Sequence, residues 1–192
     1  VSRLGLVKRP TFDDWPCSVA RVADVLGDPW TILLVRDASH GLTRFEEFQR
    51  SLKIPRNTLS ARLRRLVEIG LLERRLYQDY PPRAEYVLTD MGRDFFPVLT
   101  AMLGWGDRWL GEDGAPVSVH HVSCGHDIDP QVVCRSCGRP VDLDEVEFRL
   151  GPGYPDDVPE HLDLRDRFAR RVAAQDARGR SASDGPEIAS AG

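Results

Sequence analysis

The chain has 192 residues, a length between one large domain and two small ones, so two compact pieces are expected. With 26 Lys and Arg against 30 Asp and Glu it carries a net charge of −4, and 41% of it is hydrophobic, which excludes collagen and wholesale disorder. Apolar runs such as Ile32 to Val35 and Val98 to Leu103 fall far short of the roughly 18 consecutive apolar residues a spanning helix needs, so no membrane is expected.

Val1 to Pro10 carries Arg3, Lys8 and Arg9 without an apolar core or a small-residue cleavage site, so it does not read as a secretory signal and a cytoplasmic protein is expected. The acidic average hides an uneven distribution. From Gln49 to Arg83 nine basic residues face three acidic ones, a local net of +6, whereas nine Arg face sixteen Asp or Glu from Glu112 to the end, a net of −7. A basic island on a small domain is the usual footprint of phosphate binding, with a solvated helix face as the plain alternative.

In chain order, Val19, Val22, Ala23 and Leu26 recur at helical spacing and predict a short amphipathic helix over Ser18 to Leu26. Gly27 is placed to end it in the left-handed conformation, Asp28 to cap the next helix, and Pro29 to occupy its first turn, where the missing N–H is not needed. Trp30 to Ala38 is apolar nearly all round, which marks a buried helix. Thr43 and Glu46 have the spacing of a capping box and start a third helix through Phe45, Phe48 and Leu52.

After a break at Lys53-Ile54-Pro55, a fourth helix over Arg56 to Ile69 puts Leu59, Leu63, Leu66 and Val67 on one stripe, with Gly70 as its stop. Asn57, Ala61, Arg64 and Arg65 fall on the opposite face, with Arg56 and Ser60 on its flank. Helix, tight break, helix with a basic outer face is the helix-turn-helix arrangement, whose second helix enters the major groove of DNA. Leu71 to Tyr77 and Ala84 to Leu88 predict a hairpin whose tip, stiffened by Pro81 and Pro82, presents Arg83. Thr89 begins a last long helix with Phe95, Leu99, Met102, Gly106 and Trp109 on one seam and a kink expected at Pro97. Trp15, Trp105 and Trp109 suggest more apolar area than one small domain buries, and a symmetric homodimer is the economical solution.

Cys17, Gly27-Asp28-Pro29-Trp30-Thr31, Arg44-Phe45, Asn57-x-Leu59-x-x-Arg62-Leu63-x-x-Leu66, Gly70-Leu71-Leu72 and the string Tyr80-Pro81-Pro82-Arg83-Ala84-Glu85-Tyr86-x-Leu88-Thr89 together resemble the HxlR family, winged-helix transcriptional regulators related to the MarR proteins. The match covers about residues 15 to 110. The resemblance implies a mainly α winged helix-turn-helix fold with a small β-hairpin. It also implies a homodimer formed by the first and last helices, double-stranded DNA as partner, and a small-molecule or redox effector. Several such proteins sense oxidants with a cysteine near the first helix; Cys17 stands there, and a buried inert thiol is the other reading.

Arg56, Asn57, Ser60 and Arg64 are the groove candidates, and Arg44, Arg65, Arg74 and Arg83 the phosphate candidates. A two-fold dimer would read a pseudo-palindromic operator with half-sites about 10 to 10.5 bp apart.

Past a linker at 111–117, His121-x-x-Cys124-Gly125 and Cys134-x-x-Cys137-Gly138 form two chelating turns of matched spacing. Four ligands of the Cys3His type complete a tetrahedral structural zinc site with no open position for catalysis, with His120 or His126 as replacements for His121. A zinc-ribbon-like segment over 118–150 is therefore expected, and no enzyme. Two other readings are a thiol-disulfide or redox adaptor built on Cys134 and Cys137, and a winged helix that binds protein. The remaining expectations are an N-terminal arm over 1–14 and a tail over 151–192, with a short helix at Arg165 to Arg171 and disorder after about residue 173.

Overall fold

The computed structural model describes residues 11 to 183 apart from residues 13 and 113, with side chains through Ala174. Most of the expected N-terminal arm lies outside the described residues. The chain divides into two compact units, Val22–Val132 and the described parts of Val1–Arg21 with Val133–Gly192. The division falls after Val132, whereas the sequence placed a linker at 111–117. The physical reason is that the chain past the last helix of the first unit folds back on that helix: a Cβ on Gly104 would stand 2.4 Å from Cγ of Pro130.

The first unit builds its core from helices α1 (Ser18–Leu26, begun in the other unit), α2 (Pro29–Ser39), α3 (Phe45–Leu52) and α4 (Arg56–Glu68). Strands β1 (Leu72–Gln78) and β2 (Arg83–Leu88), then α5 (Asp90–Asp94) and α6 (Phe96–Trp109), complete it. Asp28 caps α2 as expected, accepting from the backbone N–H of Trp30 at 3.1 Å and of Thr31 at 3.2 Å, and Pro29 takes the first helical position. Gly27, by contrast, is not among the positive-φ residues; the left-handed positions are Gly41 (φ 92), Lys53 (φ 50) and Gly70 (φ 82). With the Asp28 cap in extended backbone directly after it, Gly27 has no left-handed turn to make.

The start of α3 also departs from expectation by one residue. Glu47, not Glu46, closes the helix entrance, its Oε2 accepting from the N–H of Arg44 at 2.8 Å and of Thr43 at 3.0 Å. Lys53 ends α3 in the left-handed conformation, and only Ile54 and Pro55 separate it from α4. Leu59, Leu63 and Leu66 of α4 are fully buried, and they pack with Leu34, Val35, Ala38, Phe48, Ile54, Leu71 and Leu72 in one cluster. That cluster fixes the rotation of α4, and so decides which of its side chains meet solvent.

The hairpin pairs antiparallel in the register Leu72↔Leu88, Arg74↔Tyr86 and Leu76↔Ala84, with a bulge between Leu76 and Gln78. Its second strand is anchored to the loop before α3, where the Tyr86 N–H donates to the Thr43 carbonyl at 2.7 Å. Thr89 then caps α5, accepting from the Gly92 N–H at 3.1 Å. Gly92 is required here, since a Cβ would stand 2.2 Å from the Leu71 carbonyl oxygen. The single kinked helix expected after Thr89 is two helices, interrupted at Phe95. Pro97 sits in the first turn of α6, where a missing N–H costs nothing, so the chain restarts rather than bends.

After α6 come β3 (His120–His121), which pairs antiparallel with β4 (His126–Asp127). Two 3-10 turns and α7 (Arg165–Ser183) follow. The short helix expected at 165–171 thus continues to Ser183, through part of the stretch expected to be disordered. Ala and Arg, which dominate that stretch, are strong helix formers. No helix of the described residues is long and apolar enough to cross a membrane.

Candidate nucleic-acid interface

The buried stripe of α4 leaves Arg56, Asn57, Ala61, Arg64, Arg65 and Glu68 exposed, with Ser60 half-buried beside them. Both orientations follow from the leucine spacing, because the residues between the leucines have no other face to occupy. Among the described residues Arg64, Arg65, Arg74 and Arg83 have no side-chain hydrogen bond or ion pair to the protein, and all four are exposed. Arg62, on the flank of the same helix, behaves differently: its Nε lies 3.1 Å from Oδ1 of Asp28, so its charge is used to hold α4 against the start of α2.

Aromatic rings fix two more cations. The Arg44 guanidinium stands 5.2 Å from the ring centroid of Tyr77, and that of Arg56 stands 4.9 Å from the Phe45 ring. Such stacking restrains a long side chain without neutralising it. Arg44 also bridges to Glu85 through the backbone, which ties the entrance of α3 to the hairpin. On the hairpin Arg75 is paired with Glu73 at 2.9 Å, while its neighbour Arg74 is unpaired. The Arg75 partner holds the Glu73 carboxyl below its ordinary range.

All eight sequence-derived candidates therefore lie in the first unit, seven of them exposed and Ser60 half-buried. Sequence reasoning passed over Lys53, which is exposed at the turn between α3 and α4, and Tyr77, whose ring restrains Arg44. Lys53 carried a signal in its position at the break. Tyr77 carried none, because the contact joins residues 33 positions apart in a register that the bulge after Leu76 sets.

Cys17 is half-buried, and its carbonyl accepts from the Arg21 N–H at 3.1 Å in the first turn region of α1. The two chelating turns share one geometry. In the first, the Gly125 N–H donates to the His121 carbonyl at 2.9 Å with Gly125 at φ 73, and His121 Nδ1 lies 3.2 Å from Cys124 Sγ. In the second, the Gly138 N–H donates to the Cys134 carbonyl at 2.7 Å with Gly138 at φ 70. The Cys134 thiol is lowered by the backbone N–H of Cys137 and then by that of Ser136. Among the described residues no three His, Cys, Asp or Glu side chains gather into a metal cage.

Residues 25–114 match the HxlR-like helix-turn-helix family. Rv3095 of Mycobacterium tuberculosis, an uncharacterised HTH-type transcriptional regulator, is 42% identical over 138 residues, which cover 71% of this chain and 87% of that protein. YdeP of Bacillus subtilis, also an uncharacterised HTH-type transcriptional regulator, is 35% identical over 94 residues, 48% of this chain and 73% of its own. Among solved structures PA1607, provisionally described as a transcription factor, is 38% identical with a TM-score of 0.64, covering 74% of this chain and 99% of that one. PA1374 of Pseudomonas aeruginosa, described in the same terms, is 39% identical with a TM-score of 0.52, covering 79% and 99%. The exposed basic helix, its buried leucine stripe and the hairpin beside it are those of a winged helix, and the chain belongs to the HxlR-like helix-turn-helix family of transcriptional regulators.

Proposed function

We propose that the chain acts as a homodimer on a pseudo-palindromic operator, with α4 in the major groove and the β1–β2 hairpin as a wing on the flanking backbone. The observation that carries this reading is the set of exposed arginines without protein partners on α4 and the hairpin. Four cations without an ion pair among the described residues are available for phosphate and base edges. Asn57 and Arg64 supply the groove contacts, assisted by Arg56 and Ser60, and Arg44, Arg65, Arg74 and Arg83 meet phosphates. The dimer is supported by apolar surface left open at both ends of the winged helix: Val19 of α1 is 77% exposed and Trp109 of α6 is 68% exposed.

Fluorescence anisotropy against a duplex from the chain's own upstream region and a scrambled control, at two salt concentrations, tests the reading. Arg64→Ala is expected to cost about 1–3 kcal/mol on the preferred duplex and relax sequence preference. Arg83→Ala is expected to weaken both duplexes alike and reduce the salt slope by about one. Sequence preference that survives Arg64→Ala intact would remove α4 from the groove.

For the extension we propose structural zinc, with His121, Cys124, Cys134 and Cys137 as donors. Support comes from the spacing of the donors and from each turn by itself: in both, a left-handed Gly closes the backbone behind the metal-facing pair. Cys134 also carries N–H donors that favour a thiolate. Zinc would supply the fixed tetrahedral crosslink that a short apolar-poor segment lacks.

A further inference from the structure

A cleft of about 520 Å³ opens between α2 and α6, inside the first unit, with the chain at Pro116 to Val119 along its rim. Its walls are mostly apolar, with Ile32 and Leu33 of α2 facing Leu99, Met102 and Leu103 of α6. That size and lining suit a drug-sized organic molecule. One wall residue does not suit an apolar cleft. Asp37 is buried, with a relative exposure of 2%. Its Oδ1 accepts from Arg36 Nη2 at 2.7 Å and from Arg36 Nε at 3.0 Å. Its Oδ2 is buried with no hydrogen-bond partner among the described residues.

A buried carboxylate oxygen without a donor is costly, and such an exception calls for an explanation. We propose that the α2–α6 cleft binds a small molecule joining an apolar ring to a protonated amine, with Asp37 as the counter-charge. Charge favours an amine over an acid. The other ionised groups in the wall are Arg36, already engaged with Asp37, and Asp107, which adds a second negative charge. The torsion that turns the Asp37 carboxylate is broad and nearly two-fold, so either oxygen can face a donor arriving from the cleft. Ser51 and His40 stand in the same wall and can orient the polar end. Binding at this place depends on the fold alone. Its use as a signal rests on the DNA-binding reading, because α2 packs against both α3 and α4 and a ligand held there would bias how α4 is presented.

The test is calorimetric titration of the full chain, with no DNA present, by 1-naphthylmethylamine, 1-naphthalenemethanol and 1-naphthoic acid. These three probes share one ring and differ in charge. The expected result is one saturable site per chain that prefers the amine by about tenfold or more, with Asp37→Asn bringing amine and alcohol to equal affinity. Thr100→Trp keeps Asp37 and fills the cleft, so it should abolish amine binding. If Asp37→Asn does not fold, the probe series and Thr100→Trp decide the matter. Equal affinity for the amine and the alcohol overturns the proposal. So does a folded Thr100→Trp variant that still binds the amine. The absence of saturable binding by any probe also overturns it, and is what a cleft closed by a second copy of the chain would give. Because no duplex enters the titration, failure here leaves the DNA reading standing, and failure of duplex binding leaves this site standing.

Discussion

The winged-helix unit and the C-terminal extension are held together by different means. Ten buried apolar side chains form one cluster in the first, drawn from α2, α3, α4, β1 and the turns between them. Past Trp109, Leu162 is the sole buried apolar side chain among the described residues. The extension relies instead on directional contacts. The Phe148 and Phe168 rings stack at 5.5 Å, the Tyr154 hydroxyl donates to Asp163 Oδ1 at 3.1 Å and accepts from the Leu164 N–H, and Arg171 donates to the Leu143 carbonyl. The lesson is about sufficiency: burial is non-directional and accumulates with area, while polar turns need each partner in place and draw on an outside crosslink such as a metal.

The largest effect that would sharpen this contrast is a cavity in the cluster. Phe48→Ala is expected to cost about 3–5 kcal/mol, whereas Phe148→Ala, at a ring that is half exposed, should cost about 1 kcal/mol. Equal losses in chemical denaturation would show that the extension has a core of its own kind. Gly92→Ala comes next. The clash with the Leu71 carbonyl forces the backbone at the junction of α5 and the hairpin to move, at about 1–3 kcal/mol, and a variant as stable as the parent would contradict the packing described. Metal removal addresses the other region. Chelation should release one zinc per chain and erase the ordered amide resonances of residues 120–140, while the helical circular dichroism of the winged helix and duplex affinity persist. Zinc content unchanged in Cys137→Ser would break the assignment of that residue.

How much of this was legible in the sequence differs along the same line. The helices of the winged helix follow from leucine and aromatic spacing, and the Asp28 cap and the Gly70 stop follow from residue chemistry at their ends. Periodicity could not locate the entrance of α3, because Glu46 and Glu47 both lie within reach of it and only the extended backbone at Thr43 and Arg44 selects Glu47. It also missed Asp37. Adjacent opposite charges in the run Leu34-Val35-Arg36-Asp37-Ala38 give no sign of which one is buried, and the structure buries Asp37 in the wall of the cleft that α2 shares with α6 and the returning chain. The Gly-rich stretch near 111–117 has a linker's composition, while the division into compact units falls after Val132, and a Gly at 104 lets Pro130 lie against α6. For the candidate site, the exposed arginines of α4 could be named from the helical wheel, and Arg74 and Arg83 from the hairpin pattern. The rings that restrain Arg44 and Arg56 could be named only once the hairpin register and the α3–α4 turn were in place.

The smallest effect tests whether electrostatics or geometry closes the entrance of α3, the helix that supports the reading helix. The backbone N–H groups of Arg44 and then Thr43 hold the Glu47 carboxyl below its ordinary range. A carboxyl whose folded pKa lies below its unfolded value is ionised preferentially in the folded chain. Its contribution to stability is therefore complete above the unfolded value and is lost as the pH falls through the lowered folded one. Glu47→Gln keeps an oxygen that can accept both bonds and removes the charge, so it should cost only about 0.5 kcal/mol at neutral pH. The gap between parent and variant should then close in acid, once Glu47 is protonated in both states. Urea titrations at pH 7 and at pH 3 measure that gap directly. A gap that stays the same at both values would mean that hydrogen-bond geometry alone sets the start of α3, and that the charge of Glu47 contributes nothing to holding α4 in place.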